Sequence, residues 1–250
     1  MKQTNTELAA RLTLDAYPRS ASYDAVWILE NLMGPNPLWL AEALSQVMDL
    51  QPGMRVLDLG CGRATSSIFL AQEFQLQVWA TDLWISASDN WQRICAANAQ
   101  QQVFPIHAEA HALPFASDFF DAIVSLDAYH YFGTDDLYPG YISQFVRPGG
   151  TIGIVVPGVL QELDGELAAR KWPWDWCSFH SPHWWRHHWE KTGLLDVEVA
   201  DTLPDGWQHW LKWLEVSIEA GYSSSQEEMD ILRADGGRTL GFTRVVGRRR

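Results

Sequence analysis

Arg55-Val56-Leu57-Asp58-Leu59-Gly60-Cys61-Gly62-Arg63-Ala64 is the stretch that decides the fold. An apolar run carries one acid, breaks at two glycines and enters helix-forming residues. This pattern predicts a buried β-strand that turns tightly into a helix. Glycine is required in such a turn when a ligand must approach the main chain, because a Cβ would block it. A small-molecule site at the carboxyl end of this strand is expected.

Outward from that turn, β-branched runs alternate with helical patterns. Strands are expected at 55–59, 77–81, 103–107, 122–125 and 151–156, with helices at 64–74, 86–99 and 135–145. Alternation of this kind builds a parallel sheet with helices on both faces. Two helical patterns, 23–33 and 38–48, precede the sheet and are joined by Gly34-Pro35-Asn36-Pro37. Ser181 and Pro182 suit the cap and first position of a later helix that stops at Gly193. Strands at 195–200 and 240–246 end the pattern. Between them Trp207, Trp210, Trp213, Leu214 and Ile218 recur at helical spacing, as a cap over the sheet edge would.

The chain has 250 residues and a net charge of −13, with 47% hydrophobic and 20% charged residues. One globular domain with a sizeable core is expected. The acidic balance argues against nucleic acid as a partner, since no basic face is visible. Arg248-Arg249-Arg250 reads as a solvated tail, and only the termini are expected to be loose. No secretory signal or long apolar span appears, so a cytoplasmic protein without membrane contact is expected. Cys61, Cys95 and Cys177 lie far apart and read as reduced thiols.

Five segments together resemble the class I S-adenosylmethionine-dependent methyltransferases of the small-molecule type. They are 55–62, Ala80-Thr81-Asp82-Leu83, the run 108–115 ending Leu113-Pro114-Phe115, Phe120-Asp121-Ala122-Ile123-Val124-Ser125, and Val146-Arg147-Pro148-Gly149-Gly150. The resemblance implies a Rossmann-like α/β fold: seven strands, mostly parallel, the last antiparallel, with helices on both faces and a Trp-rich helical cap. It divides the chain into an N-terminal helical lid over 1–50 and a methyltransferase domain over 51–250. Cap insertions are expected at about 157–181 and 201–238. A monomer or homodimer acting on a small-molecule substrate is expected.

The resemblance also assigns the cofactor, S-adenosylmethionine, to particular residues. Gly60 and Gly62 would admit its methionine end, while Asp58 orders the turn and reaches the ammonium directly or through water. Asp82, 22 residues beyond Gly60, would accept both ribose hydroxyls. Leu83 would pack on the adenine, whose amino group Glu109 and Ala110 would meet. Ser125 and Leu126 would offer main chain to the methionine portion, and Gly34 and Asn36 would cross over it. Two departures stand out: Ala64 replaces the family's third glycine, and Ala108-Glu109-Ala110 replaces Gly-Asp-Ala. A nicotinamide fingerprint would need glycine where Thr65 stands.

Chemistry on the acceptor side is expected from the segment 127–132. His130 is a candidate base or wall residue, with Tyr129 beside it and Asp127 toward the substrate. Tyr23 and Trp27 are candidates to close the lid over substrate. Nine tryptophans fall between Trp172 and Trp213, and Trp176 and Trp207 are candidate substrate contacts in the two insertions. Aromatic walls suit a planar ring or a cationic amine, for which Glu162 and Asp164 are possible countercharges. His180, His183, His187 and His188 lack a completing acid or cysteine, so no metal is expected. The expected activity is methyl transfer to nitrogen or oxygen, with a lean to an amine. The alternatives are a non-catalytic S-adenosylmethionine-binding or partner-binding protein on the same fold, or a C-methyltransferase.

Overall fold

The computed structural model describes residues 4–163, 171 and 173–250. The quoted run forms β1 (Arg55–Leu59) near the middle of a seven-stranded sheet. It can sit there because both of its faces are apolar. Val56 joins the core layer on one side of the sheet, and Leu57 and Leu59 join the layer on the other. Parallel neighbours are β2 (Gln77–Asp82) on one side and β4 (Phe120–Leu126) on the other. Beyond them lie β3 (Val103–His107) and β5 (Val146–Val159), also parallel. β7 (Leu240–Arg249) runs antiparallel to both its neighbours, β5 and β6 (Leu195–Thr202). The order is β3-β2-β1-β4-β5-β7-β6. Chain connections diverge between β1 and β4, and sheets of this type open a crevice at that point.

Nine helices surround the sheet among the described residues: α1 (Asn5–Leu12), α2 (Ala25–Glu30), α3 (Pro37–Ser45), α4 (Thr65–Phe74), α5 (Ala87–Ala96), α6 (Tyr138–Ser143), α7 (Pro182–Glu190), α8 (Gly206–Glu219) and α9 (Gln226–Asp235). Asn36 caps α3 by accepting from the main-chain N–H of Leu38 and Trp39, and Pro37 supplies a preset φ at its start. Ser181 caps α7 in the way its sequence suggests, accepting from Trp184 N at 3.1 Å. β5 continues to Val159, past residue 157 where an insertion is expected, and α8 and α9 lie within residues 201–238. α9 has few apolar residues, and its end is tied down by Asp235, which accepts from Thr239 and Leu240 N–H.

Both ends of the described residues are tied down. Thr4 and Glu7 form a reciprocal capping box on α1, whose Leu8 and Leu12 are buried. The three C-terminal arginines are not a solvated tail: each is paired. Arg248 meets Glu198 at 2.5 Å, Arg249 meets Asp118, and Arg250 meets Asp196 at 2.5 Å. These pairs fasten β7 to the neighbouring strand and loop. Among the described residues, no helix is long and apolar enough to cross a membrane.

Candidate cofactor cavity

The loop after β1 is held by main chain. Gly60 and Cys61 N–H donate to the Thr81 carbonyl at 2.8 and 3.0 Å. Gly60 has φ +75°, and a Cβ there would fall 2.4 Å from the Ala128 Cβ. At Gly62, with φ +53°, a Cβ would press on the Met33 sulfur at 3.0 Å. Ala64 also adopts a left-handed conformation, φ 57°. The usual third glycine is thereby explained, and alanine costs about 1 kcal/mol in its place. Beneath the loop, Asp58 accepts the Ser66 and Ser67 hydroxyls at 2.6 Å each. Burial raises its carboxyl to about 6, with the two hydroxyls pulling the other way. It anchors the start of α4 from below and does not line the cavity, so a direct reach to the ammonium is not seen.

A cavity of about 300 Å³ opens above this loop, across the ends of β1, β2 and β4. Gly34, Gly60, Gly62, Asp82, Leu83, Glu109, Ala110, Leu126 and Asp127, all expected at the site, line it. Asp82 ends β2. Its Oδ2 accepts from Gly62 N at 2.8 Å, and its Oδ1 accepts from Trp84 N and Ile85 N at 2.8 and 2.9 Å. A carboxylate has about four lone-pair sites, so one remains, on Oδ2. Room for one ribose hydroxyl is left rather than for both. Glu109 holds His111 through its main-chain N–H at 2.9 Å and its Nδ1 at 2.8 Å.

Asp127, φ +53°, follows β4 and packs against Gly34, where a Cβ would fall 2.0 Å from its Oδ2. Burial lifts its carboxyl well above the ordinary range, and Glu228 adds to the rise. From the same loop Tyr131 and Phe132 reach the cavity, and Tyr131 meets Trp84 edge-on at 5.5 Å across its mouth.

Their neighbours do not reach it. Tyr129 is fully buried among Phe132, Tyr138, Trp185 and Trp189, with its hydroxyl beside the Trp189 indole. It is a packing ring, because the short helical turn 129–131 aims it into the core. His130 lies behind Tyr131 at 4.1 Å and against Phe179 at 5.6 Å. Burial lowers its imidazole to about 3, so it is neutral at physiological pH and outside the cavity lining.

Other expected residues are also displaced from the cavity. Tyr23 stacks on Trp27 and packs on Phe69, with its hydroxyl donating to Glu73; the pair fixes α2 to the outer face of α4. Asn36 is spent on capping α3. Ser125 is buried and donates to the Leu59 carbonyl at 2.7 Å, bridging β4 to β1. Trp176 packs on Phe179 and Trp210, and Trp207 packs over Gly237. Of the proposed countercharges, Glu162 accepts from the Ser181 hydroxyl, and Asp164 lies outside the described residues, as does Trp172. His180 and His188 stack on Trp184 at 3.7 and 4.5 Å. Cavity residues that the sequence reading passed over include Met33, Arg63, Thr65, Ser66, Trp84 and His111. Their signal was adjacency to residues already chosen, since Arg63 and Thr65 continue the glycine turn and Trp84 follows Leu83.

Residues 56–150 match the family model described as a methyltransferase domain. A demethylmenaquinone methyltransferase from Mycobacterium sp. (strain KMS) is 33% identical over 122 residues, which is 46% of this chain and 49% of that protein. The chain spans about half the length of the curated relatives it matches. Two solved structures share the fold. Phosphoethanolamine N-methyltransferase 2 from Haemonchus contortus, in complex with S-adenosyl-L-methionine, has TM-score 0.66 at 19% identity, over 98% of this chain and 57% of that one. Geranyl diphosphate C-methyltransferase from Streptomyces coelicolor has TM-score 0.65 at 16% identity, over 84% and 76%. The cofactor of this domain class fits the cavity: two glycines leave open the space that Cβ atoms would fill, and Asp82 keeps a free acceptor site beside them.

Proposed function

We propose that this chain, built on a class I S-adenosylmethionine-dependent methyltransferase domain, methylates a small molecule at nitrogen or oxygen, with an amine as the favoured acceptor. The observation that carries this reading is the main-chain cradle at Gly60–Gly62, tied by Asp82 to the end of β2. Bound there, the cofactor would supply an electrophilic methyl group on a sulfonium. Gly60, Gly62 and Leu126 would hold the methionine portion, the free Oδ2 site of Asp82 one ribose hydroxyl, and Leu83, Glu109 and Ala110 the adenine.

The chain's task is then to orient the acceptor, exclude water and let one proton leave. Orientation in a desolvated site accounts for most of the expected acceleration. Asp127 is the ionisable group on the β4 loop that faces the cavity, and its desolvated carboxyl suits an N–H-bearing or cationic acceptor better than an anion. An amine attacks through its own lone pair; Asp127, whose carboxyl is pushed by burial toward its protonated form, serves to hydrogen-bond the acceptor, and the proton that the product sheds passes to solvent. His130, buried and neutral, shapes the wall behind Tyr131. The helical segment up to residue 50 would act as a lid: Gly34 lies close against Asp127, and its carbonyl accepts from Trp213 Nε1 at 2.8 Å.

The test is release of S-adenosylhomocysteine from the full chain with S-adenosylmethionine and a panel of small amines and phenols. Turnover with amines, reduced by Asp127→Asn, supports the reading. Cofactor binding without turnover on any acceptor favours a non-catalytic binder.

A further inference from the structure

Exposed apolar rings gather at the mouth of the cavity. Trp84 and Tyr131 are 67% and 51% exposed, yet both line the cavity, as do the exposed side chains of Met33 and Leu83. Large apolar groups brought together at a concave mouth mark a binding surface rather than a solvated one. The two rings come from different walls. Trp84 follows β2 just past Asp82, and Tyr131 sits on the β4 loop that carries Asp127. Their centroids are 5.5 Å apart and their planes meet at 64°. That spacing leaves no slot between them. It makes a corner instead, in which a third ring can lie flat on one face and meet the other edge-on. Both rings are held in place: the His130 ring backs Tyr131 at 4.1 Å, and the Trp84 main-chain N–H donates to Asp82 at 2.8 Å.

A few residues along the same loop the lining turns polar. The Asp127 carboxyl faces the cavity and makes no hydrogen bond to another described residue. Asp82, Glu109 and Asp127 line the cavity against a single described arginine, Arg63, a balance that favours a cationic ligand on approach. A ligand that satisfies both parts of the wall carries a flat apolar ring and, a short linker away, a group that donates a hydrogen bond. We propose that Trp84 and Tyr131 form an aromatic corner for the ring of an arylalkyl amine acceptor, whose nitrogen reaches Asp127; the inference rests on the methyltransferase reading. The nucleoside does not compete for this corner. Its adenine belongs between Leu83 and Ala110, on the side of β2 and β3, whereas Tyr131 and Phe132 stand on the β4 loop with Asp127. Trp84 and Tyr131 therefore determine specificity: a saturated group buries similar apolar area in the corner but gains nothing from the geometry of the rings.

Calorimetry on the full chain, saturated with S-adenosylhomocysteine, tests the corner with two amines. Phenylethylamine carries the flat ring; cyclohexylethylamine keeps the amine and the linker but not the flat ring. The aryl amine should bind about tenfold more tightly, the scale of two aromatic contacts. Trp84→Leu and Tyr131→Leu should each weaken it about threefold or more and leave cyclohexylethylamine within about twofold. The affinity for S-adenosylhomocysteine itself should stay within about twofold in both variants. Equal affinity for the two amines, or no binding of phenylethylamine, overturns the corner. Weakening of S-adenosylhomocysteine by the same factor as the aryl amine also overturns it, because the rings would then serve the nucleoside. If the unmodified chain does not bind S-adenosylhomocysteine, the methyltransferase reading itself fails, and the corner goes with it.

Discussion

The floor of the cavity and its roof are built by different rules. The floor is main chain: two glycines, a left-handed alanine, and a carboxylate that gathers three N–H groups. The roof is side chains, in which Trp84, Tyr131 and Phe132 reach the cavity while Tyr129, His130, Trp176 and Trp207 turn away. A floor of this kind tolerates few residue types, because φ and close approach choose them. A roof accepts any ring that packs, so tertiary contacts decide which ring faces the ligand.

Gly60→Ala should do the most damage. A Cβ there must take a left-handed φ and displace Ala128, so S-adenosylhomocysteine affinity measured by calorimetry should fall by about 100-fold or more. An affinity within a few-fold would show that the floor is adaptable after all.

Asp58 tests the floor from below through pH. Burial raises its folded carboxyl to about 6 from an ordinary 3.8, so the folded chain keeps a proton that the unfolded chain has released. That contribution is present below about pH 4 and is lost as pH rises through about 6, amounting to about 3 kcal/mol. Asp58→Asn should therefore gain stability relative to the unmodified chain between pH 4 and pH 7, followed by urea unfolding at each pH. A difference that does not change with pH would contradict the buried, raised carboxyl.

Asp82→Ala should weaken cofactor binding by roughly 1.5–3 kcal/mol, the scale of hydrogen bonds to a charged group. It should also lower the midpoint of thermal unfolding without ligand, since three main-chain donors lose their acceptor. Binding lost with no change in stability would mean that the loop holds itself.

On the roof, His130→Ala should cost about 2–3 kcal/mol of stability by leaving a void beside Tyr131 and Phe179. The pH profile of kcat between 6 and 8 should keep its shape, because the imidazole is neutral throughout that range. Loss of nearly all turnover at every pH would instead restore His130 as a base. Tyr129→Phe should have the smallest effect: turnover unchanged, and stability within about 1 kcal/mol of the unmodified chain, since only a hydroxyl beside the Trp189 indole is removed.

Much of the fold was legible in the chain. The alternation of β-branched runs and helical patterns placed all seven strands, and the cap at Ser181 lies where its residue type suggests, whereas the cap at Asn36 lies in a stretch that reads as a loop. α9 was missed because only Met229 and Leu232 mark its buried face among many acids. The arginine pairs at the C-terminus were missed because their partners, Glu198, Asp118 and Asp196, lie 50 or more residues away in sequence. At the site, legibility followed the floor. Gly60, Gly62, Asp82, Leu83 and Glu109 carry local signals of turn and strand end. Arg63 and Thr65 carried none beyond adjacency. In the roof, the three rings 129–131 share one short turn, and nothing in their order tells which one faces outward.

The most direct measurement is a crystal structure of the full chain grown with S-adenosylhomocysteine. The nucleoside should lie across the loop Gly60–Gly62, with a ribose hydroxyl on Asp82 Oδ2 and the adenine between Leu83 and Ala110. A cavity left empty at saturating ligand, or a ribose bound away from Asp82, would contradict the account.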